Sequence, residues 1–526
     1  MKKNFLKSAA ALLAIPLAFQ AAKLCLPEET TASAAQLRYY GDLDGDGRLT
    51  VFDLSIMKSG ARDFSILDAA QLQLADVNND QWLGIDDIRM MQDYILGKID
   101  KFPAGVSCEI EEPTVPTEPP KPIEEFAEAN LAKHGASLPS KGDANLVVFY
   151  VDFPDCRYTY DPDVELIEKI SFGEADSSNE CYPFESISAF YERSSKGAQN
   201  FKGKVFRYTA KENAAVYGPD KVKLAKECYD AFADEFDFTT MDGNNDGKID
   251  ATLFTVPAEA GDEYWWPCAG AFGAPEYRVD GMAVGHIITG FAQIISPTDY
   301  FDYTSSYCHE LGHCMGLPDY YLYSGDDSEG MHGAAGIELM DTDAASDLSA
   351  FSKLVCGWFR KDQIQIYDPT KDTQSFTLTN AQTEAGNCLI IPYGELAGDY
   401  FSEYFIVEYS SLMHNNSAVS QKAWWTKTGE GVRVYHIDAT TEYGWNVFFK
   451  YSSGSEFTNN DAGRRLIRII DDTDTDNFYH AGDVIDSSIS GFHWYDSNGG
   501  QTVEPGIKIS VDSFENDTYT VTVSKE

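Results

Sequence analysis

The sequence predicts a multidomain protein: a small α module built on a duplicated acidic loop, an α/β domain, and a C-terminal β-sandwich. Three observations carry this prediction. Two acidic loops recur thirty-four residues apart near the N-terminus. Residues 308–319 read Cys-His-Glu-Leu-Gly-His-Cys-Met-Gly-Leu-Pro-Asp, with two histidines four apart and a glutamate after the first. Beyond residue 365 the pattern turns to short alternating apolar runs divided by turn residues.

Lys2, Lys3 and Lys7 precede an apolar run from Ala9 to Ala22, and Ala32-Ser-Ala34 offers a small-residue cleavage site. Residues 1–34 therefore read as a secretory signal, because the run is too short and wrongly flanked for an anchor. The expectation is an exported, soluble protein. Forty basic against eighty-four acidic residues give a net charge of −44, a surface that repels nucleic acid and anionic membranes. Ten cysteines, one of them inside the signal, are too few for a disulfide framework. Cys156 with Cys181 is the candidate pair. Cys308 and Cys314 flank the histidines but leave the helix in other directions, so both read as packing residues.

The first loop places oxygen ligands Asp42, Asp44, Asp46 and Asp53 at loop positions 1, 3, 5 and 12, with the Arg48 carbonyl at 7 and Gly47 for the sharp turn. The second repeats the pattern with Asp76, Asn78, Asp80, the Trp82 carbonyl and Asp87, but Gln81 stands where glycine is expected. Each loop runs into an apolar helix (Leu54 to Lys58; Ile88 to Leu96), and the entering helices of a calcium sensor are missing. Such a duplicated loop–helix over residues 37–101 resembles a dockerin, the module that plugs secreted enzymes into the cohesins of a scaffoldin. The resemblance implies two Ca²⁺ ions, a cohesin partner, and Val51, Phe52, Ile85 and Asp86 as cohesin-facing residues. The acidic, proline-rich stretch 109–124 then reads as an extended linker.

On a helix, His309 and His313 leave one face a turn apart and can close on one Zn²⁺. Glu310 lies beside them as the candidate general base toward water. Gly316 permits the left-handed turn that ends the helix, and Pro318 forbids continuation. The chain can then fold Asp319 back as third ligand, leaving a fourth position open. Glu329, His332 and Asp341 are alternatives for that third place. Tyr303, Tyr307, Leu311 and Met315 form an i, i+4 stripe on the other side of the helix, a core face. Gly336-Ile-Glu-Leu-Met-Asp341 follows, where Met340 can lie beneath the metal as in the Met-turn of metzincins.

This segment resembles the catalytic core of immune inhibitor A-type secreted metalloproteases, whose motif ends in aspartate where most metzincins have histidine. Asn145–Asp155, Ser186–Ser195, Leu348–Trp358 and Glu430–Asp438 resemble further stretches of that family, over about residues 140–520. The resemblance implies a metzincin-like zinc endopeptidase domain over 125–365, with protein or peptide substrates and one catalytic Zn²⁺. No long pro-segment lies between linker and core, unlike the family pattern. A third acidic loop, Asp242, Asn244, Asp246, Lys248 and Asp250, is a candidate further Ca²⁺ site, with Leu253 at the twelfth position. Tyr320, Tyr321 and Tyr323 are candidates to stabilise an oxyanion by proximity alone.

The strands expected over 366–526 are Gln374–Leu378, Cys388–Ile391, Tyr404–Tyr409, Val432–Ile437, Arg465–Ile470, Ile507–Val511 and Tyr519–Val523, the makings of a β-sandwich. Asn415, Asn416 and His480 read as surface residues. Two rival functions remain: an inactive protease-fold binding module, which intact Glu310 argues against, and a polysaccharide hydrolase, for which no paired carboxylates stand at recognisable spacing.

Overall fold

The computed structural model describes residues 36–43, 48–60, 69–78, 83, 85–110, 138–260, 262–291, 294–321, 333–334, 336–341, 346–394, 396, 400–418, 429–443, 447–452, 464–470, 478–496 and 499–526. The expected signal 1–34, the ligands Asp44, Asp46, Asp80 and Trp82, Gln81, and most of the linker lie outside these residues. The chain divides into two compact units, Met1–Thr117 and Glu118–Glu526.

In the first unit, strand β1 (Gln36–Tyr39) pairs antiparallel with β2 (Ser107–Ile110), so both ends of the module meet. Between them run helices α1 (Val51–Gly60), α2 (Ala69–Ala75) and α3 (Ile85–Ile95). The thirty-four-residue repeat reappears in the packing. Leu43 and Val77, Leu54 and Ile88, and Met57 and Met91 are buried as equivalent pairs in one core. The twelfth-position carboxylates are buried too. Asp53 accepts the Leu43 and Thr50 N–H groups at 2.9 and 2.8 Å, and Asp87 accepts the Asn78 N–H at 3.1 Å. One feature departs from the sequence expectation: α2 enters the second loop. Ala-Ala-Gln-Leu-Gln-Leu-Ala is a run of strong helix formers, its Leu74 and Ala75 reach the core, and Gln71 Nε2 donates to the Leu43 carbonyl of the first loop at 2.9 Å.

The second unit begins with a five-stranded sheet of β3 (Gly142–Asp152), β4 (Gln199–Thr209), β5 (Lys248–Val256), β6 (Cys268–Ala271) and β7 (Ala283–Phe291). Its order is β4-β3-β5-β7-β6, parallel except for the antiparallel edge strand β6. Parallel sheets are covered on both faces, and β3 shows why its apolar run is continuous. Leu146, Val148 and Tyr150 enter one core; Val147, Phe149 and Val151 enter the other. Helices α4 (Val164–Phe172), α5 (Ile187–Ser194) and α7 (Phe301–Cys314) cover the first face, and α6 (Lys221–Phe232) covers the second. Asp163, Ser186 and Asp220 cap α4, α5 and α6 by accepting N–H groups of the first turn. Helix α8 (Ala350–Val355), capped by Ser349, follows the metal segment.

The remaining strands are β8 (Ile364–Ile366), β9 (Thr373–Thr379), β10 (Cys388–Pro392), β11 (Glu403–Ser410), β12 (Gly431–Asp438), β13 (Thr441–Tyr443), β14 (Val447–Phe449), β15 (Ile467–Ile469), β16 (Val484–Ile485), β17 (Trp494–Tyr495), β18 (Gln501–Val503), β19 (Ile507–Phe514) and β20 (Thr518–Lys525). They form a five-stranded sheet in the order β15-β12-β11-β10-β8 and a four-stranded sheet in the order β16-β19-β20-β9, with two small two-stranded pairs. The two larger sheets share a core of Leu389, Phe405, Val407, Val434, Ile509, Val521 and their neighbours. That is the expected sandwich, built from the expected strands. What the alternating pattern did not foretell is that the outer face of the five-stranded sheet is buried as well. Ile390, Ile406, Tyr435 and Ile437 join the same core as α7, the helix that carries His309 and His313. Residues 125–365 and 366–526 thus share a hydrophobic core.

Two expectations are corrected. Asn415 and Asn416 are buried, not superficial: Asn415 Nδ2 donates to the Phe190 carbonyl and its Oδ1 accepts from Arg193 Nε, while Asn416 Oδ1 accepts the Asp347 N–H. Asn415 ties the strand region to α5 and Asn416 ties it to the segment before α8, whereas His480 is exposed as expected. Cys156 and Cys181 form no disulfide with each other, because they lie against cores on opposite faces of the parallel sheet. Among the described residues no helix is long and apolar enough to cross a membrane.

The shared core makes a definite prediction. A chain of residues 126–526 should melt cooperatively, whereas one of residues 126–365, stripped of the sheet that covers this core, should not. Calorimetry of the two chains measures this, and a sharp transition in the shorter one would contradict it.

Candidate metal centre

Helix α7 carries both histidines near its C-terminus. Its predicted stripe of Tyr303, Tyr307, Leu311 and Met315 is buried. The opposite side is also enclosed, more than an amphipathic pattern implies. Helix α5 presses on it through Tyr191, whose hydroxyl donates to the Cys308 carbonyl at 2.5 Å. Met340 closes on it from another side: a Cβ at Gly312 would stand 2.4 Å from Met340 Sδ. Cys308 and Cys314 are packing residues, fully buried in this core.

The helix ends as its sequence requires. Gly316 adopts φ +90°, and the Gly316 and Leu317 N–H groups bond back to the His313 and Gly312 carbonyls. The returning chain delivers Asp319, whose Oδ1 lies 3.0 Å from His309 Nε2 and 3.3 Å from His313 Nε2. Each Nδ1 donates to a backbone carbonyl at 2.8 Å, that of Leu339 for His309 and that of Leu317 for His313. A carbonyl only accepts, so each Nδ1 carries a proton, and each Nε2 is the ring nitrogen turned to the carboxylate, the one that would give up its proton to a metal ion.

These donors fit a metal ion. A tetrahedral ion bonded at about 2.1 Å keeps its ligand atoms about 3.4 Å apart, close to the separations seen here. Among the described residues His309, Glu310 and His313 bring their ligand atoms within 4.8 Å of one another. Asp319 Oδ1 is nearer than that to both imidazoles, which makes it a candidate third ligand beside Glu310. Glu310 is buried beside the pair. Asp341, a rival third ligand, instead accepts the N–H groups of Gly333, Ala334 and Gly336; Glu329 and His332 lie outside the described residues. Tyr320 is buried with its hydroxyl on Ser352 Oγ at 2.8 Å. Tyr323 also lies outside the described residues.

Electrostatics matches this arrangement. Burial opposes charge on His309, but Asp319 and Glu310 outweigh it and hold the imidazole up at about 9. Burial likewise disfavours the Asp319 anion, yet its bonds to His309 and His313 hold the carboxyl far below the ordinary range.

Three residues that support the centre carry no assigned role in the sequence pattern: Gly312, Leu339 through its carbonyl, and Glu338. Gly312 had a signal, since glycine inside a helix costs about 1 kcal/mol and calls for a packing reason. Glu338 is buried and accepts from Met340 N–H, Ser349 and Ser352; burial nevertheless pushes its carboxyl up to about 7. Elsewhere, Asp242 accepts the Asp246 and Gly247 N–H groups, Asn244 accepts the Asp246 N–H, and Asp246 accepts the Lys248 N–H. Asp250, buried at the start of β5, accepts the N–H groups of Asn145 and Gly243. Val51 and Phe52 open α1, and Ile85 and Asp86 open α3.

Comparison with protein-family models and with curated proteins gives no match.

The raised His309 fixes the sign of the pH dependence. Nε2 must lose its proton to bind a metal ion, so below about pH 9 protons compete for the site. Apparent metal affinity should fall about tenfold per unit between roughly pH 8 and 6. Competition with a chelator of known affinity measures it, and a flat profile would refute the assignment of His309.

Proposed function

We propose that this protein is an exported, zinc-dependent endopeptidase, anchored through its N-terminal calcium module to a cohesin-bearing scaffold. The observation that carries the reading is the convergence of His309 Nε2, His313 Nε2 and Asp319 Oδ1 beside buried Glu310. Two imidazoles and one carboxylate are the donor set of a catalytic zinc site, and zinc held there supplies Lewis-acid activation of a carbonyl and of water. Glu310 takes the proton of the attacking water and returns it to the leaving amine. His313 is 23% exposed against 6% for His309 and Asp319, so substrate approaches from the His313 side. Met340 and Gly312 set the floor beneath the histidines.

The duplicated loop–helix, with Asp53 and Asp87 buried at equivalent positions, supports the dockerin reading. Each loop holds one Ca²⁺, and the openings of α1 and α3 face the cohesin. A further Ca²⁺ at Asp242–Asp250 would raise the count from two to three per chain.

The test is digestion of casein with and without a zinc chelator. Glu310→Ala should keep about one zinc per chain while peptide hydrolysis falls by about 10²–10⁴-fold. Asp319→Ala should lose most of its zinc on dialysis, and full retention would place the third ligand elsewhere. Hydrolysis of polysaccharide with casein left intact would favour the sugar-active alternative.

Calcium removal tests the anchor. Excess EGTA should unfold the helices of residues 36–110, since the loop carboxylates then repel one another, and should abolish cohesin binding. Helical circular dichroism and cohesin binding that both survive EGTA would sink the dockerin reading.

A further inference from the structure

We infer that Glu338 is the positioning residue of the metal centre: it anchors one short turn whose successive carbonyls hold the His309 ring and the backbone that follows Asp319. The inference rests on the reading of the centre as a metal site, and not on the choice of substrate.

The Glu338 side chain is buried at 1% exposure and meets four neutral donors. Met340 N–H donates to Oε2 at 2.5 Å. Ser349 N–H, Ser349 Oγ and Ser352 Oγ donate to Oε1 at 3.1, 3.3 and 2.5 Å. The first contact belongs to the turn beneath the histidines, and the others to the cap and first turn of α8. The carboxylate therefore clamps that turn to a helix. The backbone closes the same turn, with the Asp341 N–H on the Glu338 carbonyl at 2.9 Å.

The clamped residues are the ones that hold ligands. Leu339 gives its carbonyl to His309 Nδ1 at 2.8 Å, which sets the tautomer and the ring direction. Met340 gives its carbonyl to the Tyr320 N–H at 2.9 Å, which fixes the backbone immediately after Asp319. Tyr320 also returns to the clamp, its hydroxyl on Ser352 Oγ at 2.8 Å. His313 is held independently, by the Leu317 carbonyl at the end of its own helix. Two ligands thus depend on Glu338 and one does not.

The chemistry calls for a group that accepts at both oxygens. Glutamine keeps the shape but turns an NH₂ toward either the Met340 N–H or the serine donors, so one side of the clamp opens. Aspartate keeps the charge and shortens the reach.

The experiment titrates the full-length apoprotein with Zn²⁺ against a competing chelator, and with Co²⁺ followed by its visible d–d absorption. Glu338→Gln and Glu338→Ala should bind Zn²⁺ about 10–100-fold more weakly than the natural protein and shift the Co²⁺ bands, because the ligands lose their directions. Glu338→Asp should recover part of both losses. Leu146→Ala, in the same core but on β3, supplies the stability control: it should lower the melting temperature and leave Zn²⁺ affinity and Co²⁺ bands alone. If Glu338→Ala does not fold, Glu338→Gln decides. Zn²⁺ affinity within twofold of the natural protein together with unchanged Co²⁺ bands in Glu338→Gln overturns the inference. So does an equal affinity loss in Leu146→Ala, or a natural protein that binds neither metal. A natural protein that binds Zn²⁺ in a Glu338-dependent way yet leaves casein intact would defeat the peptidase reading and leave this inference standing.

Discussion

The centre depends on two backbone carbonyls, those of Leu317 and Leu339, each taking the Nδ1 proton of one histidine. Without them an imidazole can present either nitrogen, and a ring free to rotate rarely aims a lone pair at a fixed point. With them, both Nε2 atoms converge on the Asp319 carboxylate. The carbonyls reach the site by different routes. Leu317 follows from the helix end that Gly316 makes possible. Leu339 lies on a turn thirty residues from His309, held in place by packing of Met340 on Gly312 and by the buried Glu338 carboxylate.

That distant turn is why the C-terminal strands matter to the site. The Gly333 carbonyl accepts the Ile469 N–H at 2.7 Å, so strand β15 borders the loop that the Asp341 carboxylate gathers by its own backbone bonds. The five-stranded sheet contributes alternate residues to two cores, Leu389, Phe405 and Val407 to the sandwich and Ile390, Ile406 and Tyr435 to the core around α7. A sheet used on both faces cannot be removed without exposing one of them, so the sandwich is part of the architecture that supports the candidate metal centre. The buried Asn415 and Asn416 reinforce the same junction with directional bonds.

The N-terminal unit follows another logic. It is too small to build an extensive core, and its equivalent buried pairs, Leu43 with Val77 and Met57 with Met91, come from a repeat that packs against itself. Asp53 and Asp87 are acidic residues placed almost fully inside that core, bonded to the amides of their own loops. Burying two carboxylates in so small a module is costly unless charge or hydrogen bonds compensate, a compensation that the proposed calcium ion at each loop would supply.

Much of this was legible in the sequence because it depends on residues within a turn or two of one another. The four-residue spacing of His309 and His313, the stop at Gly316 and Pro318, the return of Asp319, the strands of the sandwich and the thirty-four-residue repeat are all consequences of local backbone geometry. The misses also have a common cause. Helix α2 was overlooked because its apolar pattern is short, although its composition favours helix. Asn415 and Asn416 look superficial because polar residues in a loop usually are, and only their partners, Phe190 and Arg193 on α5 and Asp347 before α8, show otherwise. Cys156 and Cys181 looked like a pair because sequence does not record which face of a sheet a loop joins. Local spacing determined which side chains form the centre. Tertiary structure alone decided how they are aimed, because the groups that aim them, Glu338, Leu339 and the strands behind them, meet the ligands only after distant segments pack together.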